Sequence, residues 1–281
     1  MKKLIVLLFL VAATTACSPA KVEMQSKGVV LKDNIVVHYL EAGQGPVLVL
    51  VHGLGSSAEV WRDSMRRLAR GYRVVALDLP GYGKSDKPRS DYSIEYHAAA
   101  LNDFIDALGA GKVALVGNSM GGWVSAITAL NHPEKVSHLI LVDSAGLRRD
   151  AAASTINLNP ATKEEMRTLL LSLFADKSFV TEKLVNDQWE YRKDIRYTVK
   201  ATLESFKSKQ PLLDDRLKNI KVPTLIIWGR EDTLTPFAYA ERFAKGIPGS
   251  KLVVIDNTGH IPQVEKPEAF YRAVKGFVRS W

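Results

Sequence analysis

Ser119 lies in the run Gly117-Asn118-Ser119-Met120-Gly121, with Gly122 next. A serine hydroxyl is a weak nucleophile until a base takes its proton. The spacing suggests how this one is presented. The apolar run VALV at 113–116 leads into it, and a stretch of small apolar residues, 120–130, leads away. A strand that turns sharply into a helix leaves no room for a Cβ two residues to either side of the turn, and Gly117 and Gly121 occupy those places. Ser119 then stands at a helix N-terminus, whose partial positive charge favours developing negative charge. The chemistry open to such a serine is attack on a carbonyl carbon.

The attack needs a base, an acid to orient the base, and donors for the oxyanion. His260, in Asp256-Asn257-Thr258-Gly259-His260, directly follows the apolar run LVVI at 252–255. The other histidines fit less well. His38 is in a strand pattern, His97 is in a helical one, and His132 and His138 flank the turn after the serine's helix. His52 reads as a loop brace. Asp232 follows the run TLIIW at 224–228 and is the expected partner of His260; Glu231, Asp143 and Asp256 are the competing acids. Two backbone N–H groups are expected to hold the oxyanion, from Met120 and from Leu54 in His52-Gly53-Leu54-Gly55.

These residues need a scaffold that brings distant loops to one edge. The run at 35–40 follows an Asp-Asn turn signal and reads as a strand, and those at 47–51, 73–77, 113–116, 139–142, 224–228 and 252–255 are apolar without alternation. That pattern suits a parallel sheet buried on both faces. Helical spacing separates them, at 61–69, 96–108, 120–130, 239–244 and 269–278. The alternation predicts a mostly parallel, doubly wound α/β sheet, with ligands bound beyond the carboxyl ends of its strands. Residues 145–220 interrupt the rhythm with helical stretches at 163–174, 181–189 and 197–206. The segment is too long for a loop and is expected to form a helical cap inserted before the penultimate strand. The core then comprises 28–144 and 221–281. Leu169, Leu170, Leu173 and Phe174 are expected to form an acyl pocket, a lid facing membrane lipid, or the cap's own core.

From about residue 35 onward the chain resembles the α/β-hydrolase superfamily. The segments HGLG, DLPGYGKS (78–85), GNSMGG, WGREDTLTP and TGHIPQVEKPEAF occur in that superfamily's order. GNSMGG followed by LILVDSAGL is similar to bacterial lipases and esterases and to membrane-anchored monoacylglycerol lipases. The resemblance implies a serine ester hydrolase with no metal and no organic cofactor, working through an acyl-enzyme on an ester or lipid ester. Meta-cleavage-product hydrolases, which cut carbon–carbon bonds, also resemble the chain around GNSMGG; they usually carry Trp where Ile261 follows His260. Epoxide hydrolases and haloalkane dehalogenases share the scaffold but use an aspartate nucleophile. A non-enzymatic binding role is the alternative of another class.

The N-terminus carries a separate message. Lys2 and Lys3 precede an apolar run, 4–13, that is shorter than the ~20 residues of a spanning helix. Residues 1–16 therefore read as a signal peptide. Cys17, the single cysteine, follows small residues and resembles a bacterial lipobox, which implies lipidation at Cys17. Residues 17–27 then form a polar tether. Ser18 after the cysteine implies an envelope protein anchored on the periplasmic side of the outer membrane. One cysteine excludes an internal disulfide. The net charge of +8 is spread along the chain, which points away from nucleic acid and toward a solvated surface with weak attraction for anionic membranes.

Overall fold

The computed structural model describes residues 22–148, 156–208 and 210–279. The expected signal peptide, residues 1–16, and Cys17 lie outside these residues. No helix among the described residues is long and apolar enough to cross a membrane.

Eight strands form one sheet: β1 (Met24–Val30), β2 (Val36–Ala42), β3 (Val47–Val51), β4 (Arg73–Leu77), β5 (Val113–Asn118), β6 (Val136–Val142), β7 (Thr224–Gly229) and β8 (Lys251–Ile255). Their order is β1-β2-β4-β3-β5-β6-β7-β8. The pairings β1–β2 and β2–β4 are antiparallel and the remainder are parallel. This is the α/β-hydrolase fold.

The apolar runs are explained by burial on both faces. Every residue of β3 is buried, and successive side chains point to opposite sides. Val47, Val49 and Val51 face one core, closed by α2 (Ile94–Leu108), α3 (Met120–Asn131) and α7 (Ala238–Gly246). Leu48 and Leu50 face the other, closed by α1 (Arg62–Leu68) and α9 (Pro267–Val278). In α9 the buried residues Phe270, Val274 and Val278 recur every four positions, the spacing that makes one apolar stripe on a helix.

The tether boundary is corrected by β1. Met24–Lys27 belong to an edge strand that pairs in register with β2, from Met24 opposite Ala42 to Val30 opposite Val36. Its sequence, MQSKGVV, is mostly polar and exposed. Such a strand is held by backbone hydrogen bonds, so it lacks the apolar run that marked the others.

Between β6 and β7 the chain forms α4 (Lys163–Leu173), α5 (Glu182–Asp194) and α6 (Arg196–Ser205). Thr162 caps α4 by accepting from Glu165 N, and Thr181 caps α5 by accepting from Leu184 N. Met166, Leu169, Leu170 and Val185 build a small core of their own. Leu169 and Leu170 also line the large cavity above the sheet, as do Leu173 and Phe174.

Candidate active site

Ser119 follows β5 and has φ 56° and ψ −121°, a conformation that L-residues rarely adopt. The surrounding chain holds it there. Ser119 N–H donates to Val142 O, and Ser119 O accepts from Gly122, Trp123 and Ala145 N–H. A Cβ on Gly117 would lie 2.2 Å from Gly121 O, and one on Gly121 would lie 2.2 Å from Val51 O. Both contacts are with backbone, so any Cβ at either position must push the chain apart. The turn leaves Ser119 partly exposed while its neighbours Asn118 and Met120 are buried.

The loops after β7 and β8 deliver the other two groups. His260 Nδ1 lies 2.8 Å from Asp232 Oδ2. Asp232 Oδ1 accepts from Leu234 N–H and Thr235 N–H, and Oδ2 also accepts from Thr235 Oγ1 at 2.6 Å. These bonds make Asp232 an acceptor on every side, which assigns the Nδ1–H tautomer to His260. Burial pushes the Asp232 carboxyl up, but the His260 imidazole and the hydrogen bonds from His260 and Thr235 more than offset it, and the group stays below its ordinary range. His260 Nε2 is buried and has no hydrogen-bond partner among the described residues. His260 and Ser119 line the same cavity.

Leu54 and Met120 line it as well. Met120 is the first residue of α3, where an N–H has no acceptor within the helix. Leu54 N–H has no acceptor among the described residues. The Leu54 loop presses on the serine: a Cβ on Gly53 would lie 3.1 Å from Ser119 Cβ and 3.6 Å from Ser119 Oγ. His52 braces this loop, its Nδ1 donating to Gly53 O and its Nε2 accepting from Leu79 N–H. Burial holds the His52 imidazole below its ordinary range, so it stays neutral.

The structure therefore brings Ser119, His260, Asp232, Leu54 and Met120 to one edge of the sheet. Of the competing acids, Glu231 accepts from Thr258 N–H and Asp256 pairs with Arg230 on the surface. Asp143 is different. It directly follows β6, fully buried beside Asp232 and His260.

Several residues of this site were given no role by the sequence. Asn118 Nδ2 donates to Val142 O and to His260 O, tying the serine turn to the histidine loop. Glu265 accepts from Gly259 N–H and Asp176 N–H. Arg192 of α5 is buried, lines the cavity and reaches Leu158 O with Nη1; among the described residues it has no carboxylate partner. Thr235 was the most legible, since Thr three residues after Asp fits a local side-chain turn.

The cavity has a volume of about 1150 Å³. Its lining is mainly apolar and comes from both the cap and the sheet loops, with Leu170, Phe174, Leu203 and Leu212 among the residues that form it.

Known proteins resemble this chain in sequence and in fold. The sequence model of the Alpha/beta hydrolase family matches residues 48–273. A 2-hydroxy-6-oxo-6-(2'-aminophenyl)hexa-2,4-dienoic acid hydrolase of Metapseudomonas resinovorans is 34% identical over 255 residues, covering 87% of this chain and 88% of that one. A 2-hydroxy-6-oxononadienedioate/2-hydroxy-6-oxononatrienedioate hydrolase of Burkholderia vietnamiensis is 35% identical over 265 residues, covering 86% and 91%. Among solved structures, a membrane phospholipase A described as a bacterial virulence factor superposes with a TM-score of 0.83 at 29% identity, covering 92% of this chain and 86% of that one.

Proposed function

This chain belongs to the alpha/beta hydrolase family, and on that footing we propose that it cleaves carboxylic esters through an acyl-enzyme on Ser119. Ser119 Oγ attacks the ester carbonyl as His260 Nε2 takes its proton. Asp232 holds the imidazole by its Nδ1–H and stabilises the imidazolium. The N–H groups of Leu54 and Met120 bond the oxyanion. His260 then returns the proton to the leaving alcohol, and the same pair activates the water that releases the acid. What carries this reading is the 2.8 Å Asp232–His260 contact, with the opposite ring nitrogen left unbonded in the cavity that holds a serine at positive φ.

The apolar lining suits a long acyl chain, and the likeness to a membrane phospholipase A supports a lipid ester as substrate. We propose with it that residues 1–16 direct export and that lipidated Cys17 holds the domain at the cell envelope. That part rests on the N-terminal sequence alone. A Cys17→Ser variant that still takes up labelled palmitate would sink it.

A second reading is favoured by two observations. The curated relatives above are named as hydrolases of dienoic acids and dienedioates. Arg192 supplies a buried cation that would suit a substrate carboxylate. In this reading the same serine and histidine add water across a carbon–carbon bond beside a ketone. A panel of p-nitrophenyl esters, monoacylglycerol and a 2-hydroxy-6-oxo-dienoate, run beside Ser119→Ala, decides between them. Ester turnover lost in the variant supports the first reading. Dienoate turnover without ester turnover replaces it with the second.

A further inference from the structure

Asp143 is a carboxyl group that the mechanism above does not use. It sits at the end of β6 with φ 43°, in the left-handed region, and its side chain is shut away from solvent. Oδ1 is accounted for, since it accepts from Gly229 N–H at 2.9 Å. Oδ2 is buried with no hydrogen-bond donor directed at it. A carboxylate oxygen left like that is costly, because a buried charge needs partners.

The neighbours explain the second oxygen. Asp143, Asp232 and His260 each place a polar atom within 4.8 Å of the other two. Asp232 is already committed as an anion, with donors from Leu234, Thr235 and His260. Two carboxylates this close in a dry interior cannot both be ionised. The one with fewer donors keeps the proton, and Asp143 has the single bond from Gly229.

We propose that Asp143 is a neutral carboxylic acid that donates a hydrogen bond from Oδ2 to Asp232 and so positions Asp232 for His260. It acts through Asp232 and does not touch substrate. Burial, reinforced by the Asp232 charge, pushes its carboxyl well above the usual range, in agreement with the geometry. Among the described residues, the ionisable groups bearing on it are Asp232 after β7, His260 after β8 and Glu265 in α8 (Pro262–Glu265). A hydrogen bond from Asp143 spreads the Asp232 charge and fixes the carboxylate that holds His260 Nδ1–H.

This inference rests on the triad reading, and its test separates the two. Asp143→Asn replaces one neutral donor with another of the same shape. The acidic limb of kcat/KM reports the free enzyme's base. If Asp143 is neutral, the limb stays in place in Asp143→Asn, since one neutral donor replaces another. In Asp143→Ala the donor is lost, and the limb moves to higher pH. A limb that moves to lower pH in Asp143→Asn means that a negative charge was removed, and overturns the proposal. Infrared spectroscopy supplies a readout free of activity and of the variants' folding. The full-length wild-type protein at neutral pH shows the carbonyl stretch of a buried, protonated carboxylic acid, and its absence there overturns the proposal. Turnover that survives Ser119→Ala would instead reject the triad reading while leaving the infrared result to stand.

Discussion

Gly121→Ala adds one methyl group to the serine turn, and its consequences can be worked through. The new Cβ would sit 2.2 Å from Val51 O and 2.5 Å from His52 O. Both atoms belong to backbone at the end of β3, so no side chain can rotate away. To restore an ordinary contact the start of α3 and the end of β3 must part by roughly 1.2 Å, in an interior packed too densely to absorb it. Overpacking of this kind costs about 1–3 kcal/mol. For a chain of this size that lowers Tm by roughly 2–9 °C, at about 2–3 °C per kcal/mol. The same displacement widens the gap between Met120 N–H on α3 and Leu54 N–H beyond β3. Loss of one oxyanion donor costs about 10²–10³ in kcat. The expected result is a folded variant with kcat down about 100-fold, because the loss falls on the transition state, and KM nearly unchanged. Turnover of a p-nitrophenyl ester and a thermal melt on the same sample measure both. Gly276→Ala is the matched control: it lies exposed within α9 with nothing within 4 Å of the added Cβ. It should gain about 0.5–1 kcal/mol from helix propensity and keep full activity. A Gly121→Ala protein with wild-type kcat would refute the assignment of Met120 and Leu54 as a matched pair of donors.

Four further outcomes are expected. Asp232→Asn leaves the site folded but favours the wrong tautomer of His260, so kcat falls by about 10⁴ in a pre-steady-state or high-enzyme assay. Leu170→Ala with Phe174→Ala enlarges the cavity and shifts the best acyl chain to greater length in the ester panel; an unchanged preference in the folded double variant counts against these residues as an acyl wall. Arg192→Gln raises KM for a carboxylate-bearing substrate and leaves kcat/KM for neutral esters within a few-fold, because a charge-assisted hydrogen bond is lost only in the first case. The carboxyl of Asp143 is raised in the fold, so the native protein keeps a proton that the unfolded chain releases above roughly pH 3.9. Its stabilising contribution is fully present below that pH and is lost as pH rises through the folded value. Asp143→Asn cannot ionise, so its Tm should gain on wild type as pH rises from 4 to 8, with the gap closing at the acid end; thermal melts across that range would show a flat difference if Asp143 were ionised at no cost.

The parallel strands were legible because burial on both faces writes a continuous apolar run, as in Val47–Val51. Ser119, Asp232 and His260 were legible because each ends or follows such a run, and a parallel sheet brings all those ends to one edge. Edge strand β1 was not, because backbone pairing with β2 holds it and no face demands apolar residues. The neutrality of Asp143 was out of reach for a different reason. An aspartate at a strand end is an ordinary residue until a second carboxylate lies beside it, and that second one is 89 positions away in sequence. Asn118 and Glu265 are alike in this respect. Each bridges loops that only the fold makes neighbours.

The same bridges bear on how the cap works. The last carbonyls of a helix have no partners within it. In α4 they are taken by the catalytic loops: Thr233 Oγ1 donates to Ser172 O at 3.0 Å, and His260 N–H donates to Leu173 O at 2.8 Å. Just beyond, Asp176 N–H donates to Glu265, whose other oxygen holds Gly259 N–H. Across the cavity, Tyr191 of α5 donates to Ser56 O and accepts from Gly83 N–H, and Tyr82 reaches Thr202 of α6. Swinging the cap as one body would break these bonds on both sides, at about 1 kcal/mol each and more where the groups stay buried. It would also pull directly on the backbone of His260. The cap is therefore a wall of the site rather than a door to it. A wall held this way selects substrates by the side chains it presents, and it keeps the histidine loop in place while it does so.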